Sequence, residues 1–244
     1  MPADMDSKDV FLITCEHGGN RIPPAYRHFF RGVEDQLETH RGYDPGALAM
    51  ARCLAATLSA PLYFSCTSRL LIDLNRSLGH PRLYSEATRH APAATRAEIR
   101  ARYYLPYRRR IETEVAALVA QGRRVIHLSS HSFTPELAGE VRNADIGLLY
   151  DPSRAAERSL CLRWQKSLGK LLPGFRVRRN YPYTGKSDGL TAHLRRRFPA
   201  AAYLGMELEI NQRHVYARGR RWRDLRQAVP TAFMQAMAAV GRTE

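Results

Sequence analysis

Val10-Phe11-Leu12-Ile13-Thr14-Cys15, running straight into Glu16-His17-Gly18-Gly19-Asn20-Arg21-Ile22-Pro23-Pro24, is the stretch on which the reading of the fold turns. A short continuous apolar run suits a strand buried on both faces, as in parallel sheets covered by helices. The Gly, Asn and Pro residues that follow end it as a loop. Downstream the pattern alternates. A helix is expected from about Asp44 to Leu58, with Asp44 as N-cap and Pro45 at the first helical position. Pro61 to Cys66 and Leu70 to Leu74 read as strands, and Gly79 to Pro92 as loop. A long basic helix is expected from Thr95 to Gln121, interrupted or bent at Pro106. Val125 to His131, Asp145 to Tyr150, Phe175 to Arg178 and Tyr203 to Ile210 are further strands. Helices are expected from Ser153 to Leu172 and from Trp222 to Val240. Strands alternating with helices imply an α/β domain, a three-layer αβα sandwich around a mainly parallel or mixed sheet. In such sheets chemistry gathers on loops at the carboxyl ends of strands.

The composition is consistent with this. The chain has 244 residues, 44% hydrophobic and 25% charged, which excludes wholesale disorder. One domain is expected over 1–244, with residues 1–9 as a flexible start. No apolar run reaches the ~18–20 residues of a bilayer span, and the polar, acidic start is unlike a secretory signal. A cytoplasmic protein is expected, without membrane contact. Cys15, Cys53, Cys66 and Cys161 form neither a C-x-x-C pair nor a zinc-finger spacing, so they read as free thiols. The formal charge of +15 is unusual. It suits a nucleic-acid surface or a field that draws in a small anion, and arginine-rich, alanine-rich composition also accompanies GC-rich coding. The helix from Thr95 carries many arginines, yet no helix-turn-helix, zinc-finger or RNA-binding signature accompanies them. No nucleic-acid partner is therefore expected. Oligomeric state is left open.

Several residues could carry chemistry. His17 follows the first strand between Glu16 and two glycines, where backbone and ligand can approach closely. His131 ends another strand; His127, on the same face, reads as structural. The interior Leu128-Ser129-Ser130 carries no Glu, so the zinc-protease motif H-E-x-x-H is absent. On the strand from Tyr203, Leu204, Met206, Leu208 and Ile210 face one way, while Gly205, Glu207 and Glu209 face the other. Two carboxylates on one face of a buried strand are expensive unless paired. A buried arginine partner and an acid/base role beside a metal are both open for them. Arg69 and Arg76 flank Leu70 to Asn75, and guanidinium forks are natural carboxylate clamps. Tyr183-Thr184-Gly185-Lys186-Ser187 looks like the end of a phosphate-binding loop, but Asn180 stands where its first glycine belongs. Tyr181 to Gly185 reads instead as a loop that could close over a small ligand.

Six segments together resemble the N-formylglutamate amidohydrolase family. They are Cys15 to Pro23, Tyr43 to Ala47, Ser68 to Arg76, Ser130 to Pro135, Tyr181 to Gly185 and Glu207 to Asn211, in order across roughly residues 10–215. The resemblance implies a zinc-peptidase-like α/β fold, distantly similar to aspartoacylase and zinc carboxypeptidases. It also implies a metal-dependent amidase that cleaves N-formyl-L-glutamate to formate and L-glutamate in histidine breakdown, with another N-acyl amino acid, as related amidases accept, as the alternative substrate. One divalent metal, Zn²⁺, would be held by His17, His131 and a carboxylate. The wider superfamily has His-x-x-Glu, where this chain has His17-Gly18-Gly19-Asn20. Asn replaces a carboxylate poorly at zinc. Asp44, which resembles a recurring aspartate of the formylglutamate family, is the third ligand the resemblance implies, with Asn20 or Glu16 as fallbacks. By the same resemblance Glu209 is the catalytic base and Arg69 assists the scissile carbonyl. Asn75 and Arg76 hold a substrate carboxylate, and Tyr183, on the loop that could close over a small ligand, is the third substrate-binding residue expected.

Overall fold

The structure, a computed structural model, describes residues 8–239. In chain order their elements are β1 (Asp9–Cys15), α1 (Ala47–Leu58), β2 (Leu62–Phe64), α2 (Ala93–Ile99), α3 (Leu105–Ala120), β3 (Arg124–Phe133), β4 (Glu136–Leu137), β5 (Glu140–Val141), β6 (Ile146–Leu149), α4 (Ala155–Leu171), β7 (Val177–Arg179), α5 (Leu190–Arg197), β8 (Tyr203–Asn211), α6 (Gln212–Ala217) and α7 (Arg220–Ala238). Residues 1–7 of the expected flexible start, and Val240 of the last expected helix, lie outside the described residues. Asp9 is already part of β1.

Six strands form one sheet in the order β2-β1-β3-β8-β6-β7. All neighbours run parallel except β6, which is antiparallel to β8. The period-two pattern sorts the side chains. Phe11, Ile13, Ile126, Leu128, Leu204, Met206, Leu208 and Ile210 bury against α1, α4 and α7, where Trp164 and Phe233 meet edge to face. Leu12, Val125 and Tyr203 bury on the opposite face against α3 and α5. The expected three-layer arrangement around a mixed sheet is what the chain adopts. Among the described residues no helix is long and apolar enough to cross a membrane.

Three local readings change. The segment from Leu70 to Leu74 is a series of turns. Leu71, Ile72 and Leu74 are buried in a separate cluster with Ile22, Phe30, Leu83 and Ile99, so apolar burial needed no sheet. The basic helix is divided by a widened π-helical turn over Arg100–Tyr104, after which Pro106 sits in the first turn of α3. The helix continues through the π-helical turn, where the Leu105 N–H donates to the Arg100 carbonyl, an i to i+5 bond that widens the helix just before the proline. Asp44 does not cap α1. The cap position is Gly46 at φ +81°, a left-handed conformation that favours glycine.

One polar cluster ties the far end of the sheet together. The buried Asp145 carboxylate accepts hydrogen bonds from His214 Nε2 at 2.5 Å, from the Arg176 N–H at 2.6 Å and from Arg213. Burial pushes this carboxyl up, but the hydrogen bonds from His214, Arg213 and Arg176 outweigh it and hold it well below the usual range. A carboxylate depressed in the folded state stabilises above its unfolded pKa of ~3.9, and that contribution is lost as pH falls through the folded value. Asp145→Asn is therefore expected to cost ~1–3 kcal/mol at neutral pH, with the difference from the parent shrinking in acid. Urea denaturation at pH 7 and pH 3 checks this; a constant difference would contradict it.

Candidate active site

The site grows from the carboxyl ends of β1, β3 and β8, whose register aligns His131 with Glu209 and Ser129 with Glu207. Immediately after β1, Gly18 and Gly19 lie flat against the chain at Ser65 and Cys66. A Cβ on Gly18 would sit 2.8 Å from the Ser65 carbonyl, and one on Gly19 2.9 Å from Cys66. That close approach aims His17 inward. The Asp44 N–H donates to the His17 carbonyl at 2.9 Å, which brings a residue 27 positions away beside the imidazole. The Asp44 carboxylate is used here, not at the helix end.

His17, Asp44 and His131 are all buried, and their donor atoms lie within 4.8 Å of one another. Asp44 Oδ2 is 2.9 Å from His131 Nδ1 and 3.3 Å from His17 Nδ1. The far nitrogens are also held. His17 Nε2 donates to Asp73 Oδ1 at 2.7 Å, and His131 Nε2 lies 3.1 Å from Glu16 Oε2 and 2.8 Å from Ser129 Oγ. Once the Nε2 hydrogens are committed, two Nδ1 lone pairs and a carboxylate oxygen converge, and such a cluster is repulsive unless a proton or a cation is shared among them. Two imidazoles and a carboxylate, each imidazole backed by a second carboxylate, form a donor set that fits Zn²⁺ or a similar ion.

Arg69 bridges the acids. It donates to Asp73 Oδ2 at 2.8 Å through Nη2 and 3.3 Å through Nε, and to Asp44 Oδ1 at 3.2 Å through Nη1. Burial pushes the Asp44 carboxyl up, but His17, His131 and Arg69 more than cancel this and keep it well below the usual range. Asp73 is likewise pushed up by burial and held far down, chiefly by Arg69 and His17.

The two glutamates of β8 differ. Glu207 Oε1 accepts from the Thr191 hydroxyl at 2.6 Å, where an arginine partner was one expectation. Glu209 is buried, and its Oε2 has no hydrogen-bond partner. Burial pushes its carboxyl up to about 8, with His131 opposing and Asp44 and Glu207 adding to the rise.

Glu209, Glu207, Arg69, Asn75, Arg76 and Tyr183 line one cavity of about 510 Å³ with His17, Asp44 and His131. Asn75 Oδ1 accepts from the Leu190 N–H at 2.6 Å, leaving its amide hydrogens toward the cavity side, where Nδ2 is 3.4 Å from His131 Nε2. Arg76 Nη1 donates to the Asp188 carbonyl at 2.9 Å. A wider groove of about 1010 Å³ lies between Ile22, Phe30, Leu37 and Tyr103 and contains none of the converging donors.

The fallback ligands are placed elsewhere. Asn20 turns away and donates to Glu38 at 2.9 Å. Glu16 stands behind His131, where it also accepts from Ser129 at 2.6 Å and Tyr107 at 3.0 Å. Asp73 and Ser129 are site residues that the sequence reading does not single out; the spacing of Asp73 from Arg69 and Arg76 is the signal that points to it. His127 is enclosed between Thr14 at 2.8 Å and the Tyr203 hydroxyl at 2.7 Å, and burial pushes its imidazole down to about 4.

Fold and site together define an α/β protein with a candidate metal centre at the carboxyl edge of its sheet. The model of the N-formylglutamate amidohydrolase family matches residues 10–216. A solved gene product of Agrobacterium tumefaciens is 28% identical, with a TM-score of 0.80 over 98% of this chain and 93% of that one. The N-formylglutamate amidohydrolase of Ralstonia eutropha is 20% identical, with a TM-score of 0.69 over 99% and 98% of the two chains, a likeness of fold. No curated protein sequence matches. The chain belongs to the N-formylglutamate amidohydrolase family and is a hydrolase of amide bonds.

Proposed function

We propose that the protein hydrolyses the amide bond of a short N-acyl amino acid, with N-formyl-L-glutamate as the substrate, in the cytoplasmic breakdown of histidine. Formate and L-glutamate are the products. One observation carries the reading: a buried, unpartnered Glu209 carboxyl shares a cavity with three converging metal donors. His17, Asp44 and His131 would hold a single divalent ion, Zn²⁺ by its donor chemistry. When bound, such an ion supplies Lewis acidity to the amide carbonyl and to the attacking water.

The chain's own residues do the rest. Glu209 takes a proton from the water on a carboxylate oxygen and returns it to the departing amino nitrogen. Arg69 has three of its five N–H groups committed to Asp44 and Asp73, and the two that remain can face the developing oxyanion. Asn75 Nδ2 and the uncommitted edge of Arg76 bind the α-carboxylate, which fixes the angle of attack. Tyr183 closes the rim.

Protein purified without chelator is expected to carry about one equivalent of metal. His131→Ala and Asp44→Ala should each lose it while retaining a parental circular dichroism spectrum. Amine release from N-formyl, N-acetyl and N-succinyl amino acids, with and without added Zn²⁺, tests the reaction. Full metal occupancy in His131→Ala would remove that residue from the site. Absence of amine release from every substrate would refute the amidase reading.

A further inference from the structure

Four arginines line the cavity: Arg69, Arg76, Arg82 and Arg142. Arg69 is taken up by Asp44 and Asp73, and Arg76 is braced by Asp188. Arg82 is exposed. Arg142 is different. It is half-buried, its guanidinium lies over the Tyr183 ring at 5.0 Å, and its Nη1 is shielded from solvent without a hydrogen-bond partner. Among the described residues no carboxylate pairs with it.

Its backbone is nonetheless firmly placed. The Arg142 N–H donates to the Pro135 carbonyl at 2.8 Å, closing the turn made by β4 and β5. The buried Asn211, two residues beyond Glu209 on β8, donates to the carbonyls of Arg142 at 3.4 Å and Ala144 at 2.8 Å. The cation is thus pinned to the strand that carries the unpartnered glutamate. It comes from a different chain segment than Asn75 and Arg76. His40, also in the cavity wall, is pushed down by burial and then by Arg41, Arg142 and Arg69, with Asp44 opposing.

A guanidinium nitrogen shielded from water without an acceptor costs free energy that a ligand carboxylate would recover, and the planar fork matches that group. We propose that Arg142 reads a carboxylate on the substrate's side chain, so that the site selects N-acyl amino acids with two carboxylates over those with one. This rests on the amidase reading above, in which Asn75 and Arg76 take the α-carboxylate.

The test compares kcat/KM for N-formyl-L-glutamate and N-formyl-L-glutamine, its neutral counterpart of nearly equal shape, in metal-loaded protein. The parent should prefer the glutamate substrate by about 10- to 100-fold. Arg142→Gln should bring that ratio close to one, chiefly through KM, and Arg142→Lys should fall between, since it keeps the charge and loses the fork. An unchanged ratio in both variants overturns the proposal. Calorimetric titration with glutarate, which needs no turnover, is the second arm: affinity should drop about 10-fold or more in Arg142→Gln. If the parent hydrolyses neither amide, the amidase reading fails while the glutarate arm still decides Arg142. Equal glutarate affinity in parent and variant, or none in the parent, overturns it.

Discussion

Glu209→Gln is expected to lower turnover by ~10²–10⁴, the range typical of a lost general base, while metal content and fold stay as in the parent. The amide keeps the size of the side chain and removes its ability to accept a proton. Glu209 is suited to that role because Oε2 has no internal partner, so nothing in the protein competes for the incoming proton. Glu207 provides the control. Its Oε1 is engaged by Thr191, a contact that Glu207→Gln can keep through its own carbonyl oxygen. That variant should move stability or metal affinity more than the chemical step. Single-turnover rates with parallel metal analysis distinguish the two. Normal chemistry in Glu209→Gln with lost chemistry in Glu207→Gln would reverse the roles, and normal chemistry in both would remove the carboxylate-base mechanism.

Arg195→Met is expected to destabilise the protein by ~3–5 kcal/mol, the cost of leaving a buried charge without its partner. Arg195 Nε lies 3.1 Å from both Glu157 carboxylate oxygens, and both residues are buried. Its Nη1 donates to the Gly185 carbonyl at 2.6 Å and Nη2 to the Gly205 carbonyl at 2.5 Å. Glu157 in turn accepts from the N–H groups of Gly205 and Asp151, each at 3.0 Å. One ion pair therefore links α4, α5, β8 and the loop that carries Tyr183. Adding Glu157→Leu should restore only part of the loss, because the carbonyls of Gly185 and Gly205 still lack a donor. Because Gly185 anchors that loop, a raised KM should accompany the lower stability. Denaturant midpoints for single and double variants measure this; a single-variant loss below ~1 kcal/mol would show that the pair is solvated in practice.

Local pattern carried much of the fold. The apolar run of β1, the alternation along β8 and the helical periodicities were enough to expect helices on both sides of a mixed sheet. They also placed His17, His131 and Glu209 at strand ends, since side-chain parity is a property of the strand alone. The structure departs from local pattern where local chemistry allows two outcomes. An Asp before Pro45 suits a helix cap as well as it suits a metal, and the run from Leu70 to Leu74 suits a strand as well as a buried turn. Competition from distant partners settled both: the His17 carbonyl for Asp44, and the Leu83 carbonyl for the N–H of Asp73.

Which carboxylate stands behind which histidine is not a local property of the chain. Asp73 meets His17 across 56 positions, and Ser129 meets Glu16 across 113. No periodicity reports such separations: the first is made by a turn segment outside the sheet, and the second follows from the parallel register of β1 on β3. Residue types and faces are set along the chain, within a few residues of each other. Which carboxylate backs which imidazole, which glutamate is left unpartnered and which arginine stays uncommitted are set across the sheet, where hydrogen bonds and charge pair groups by position in space.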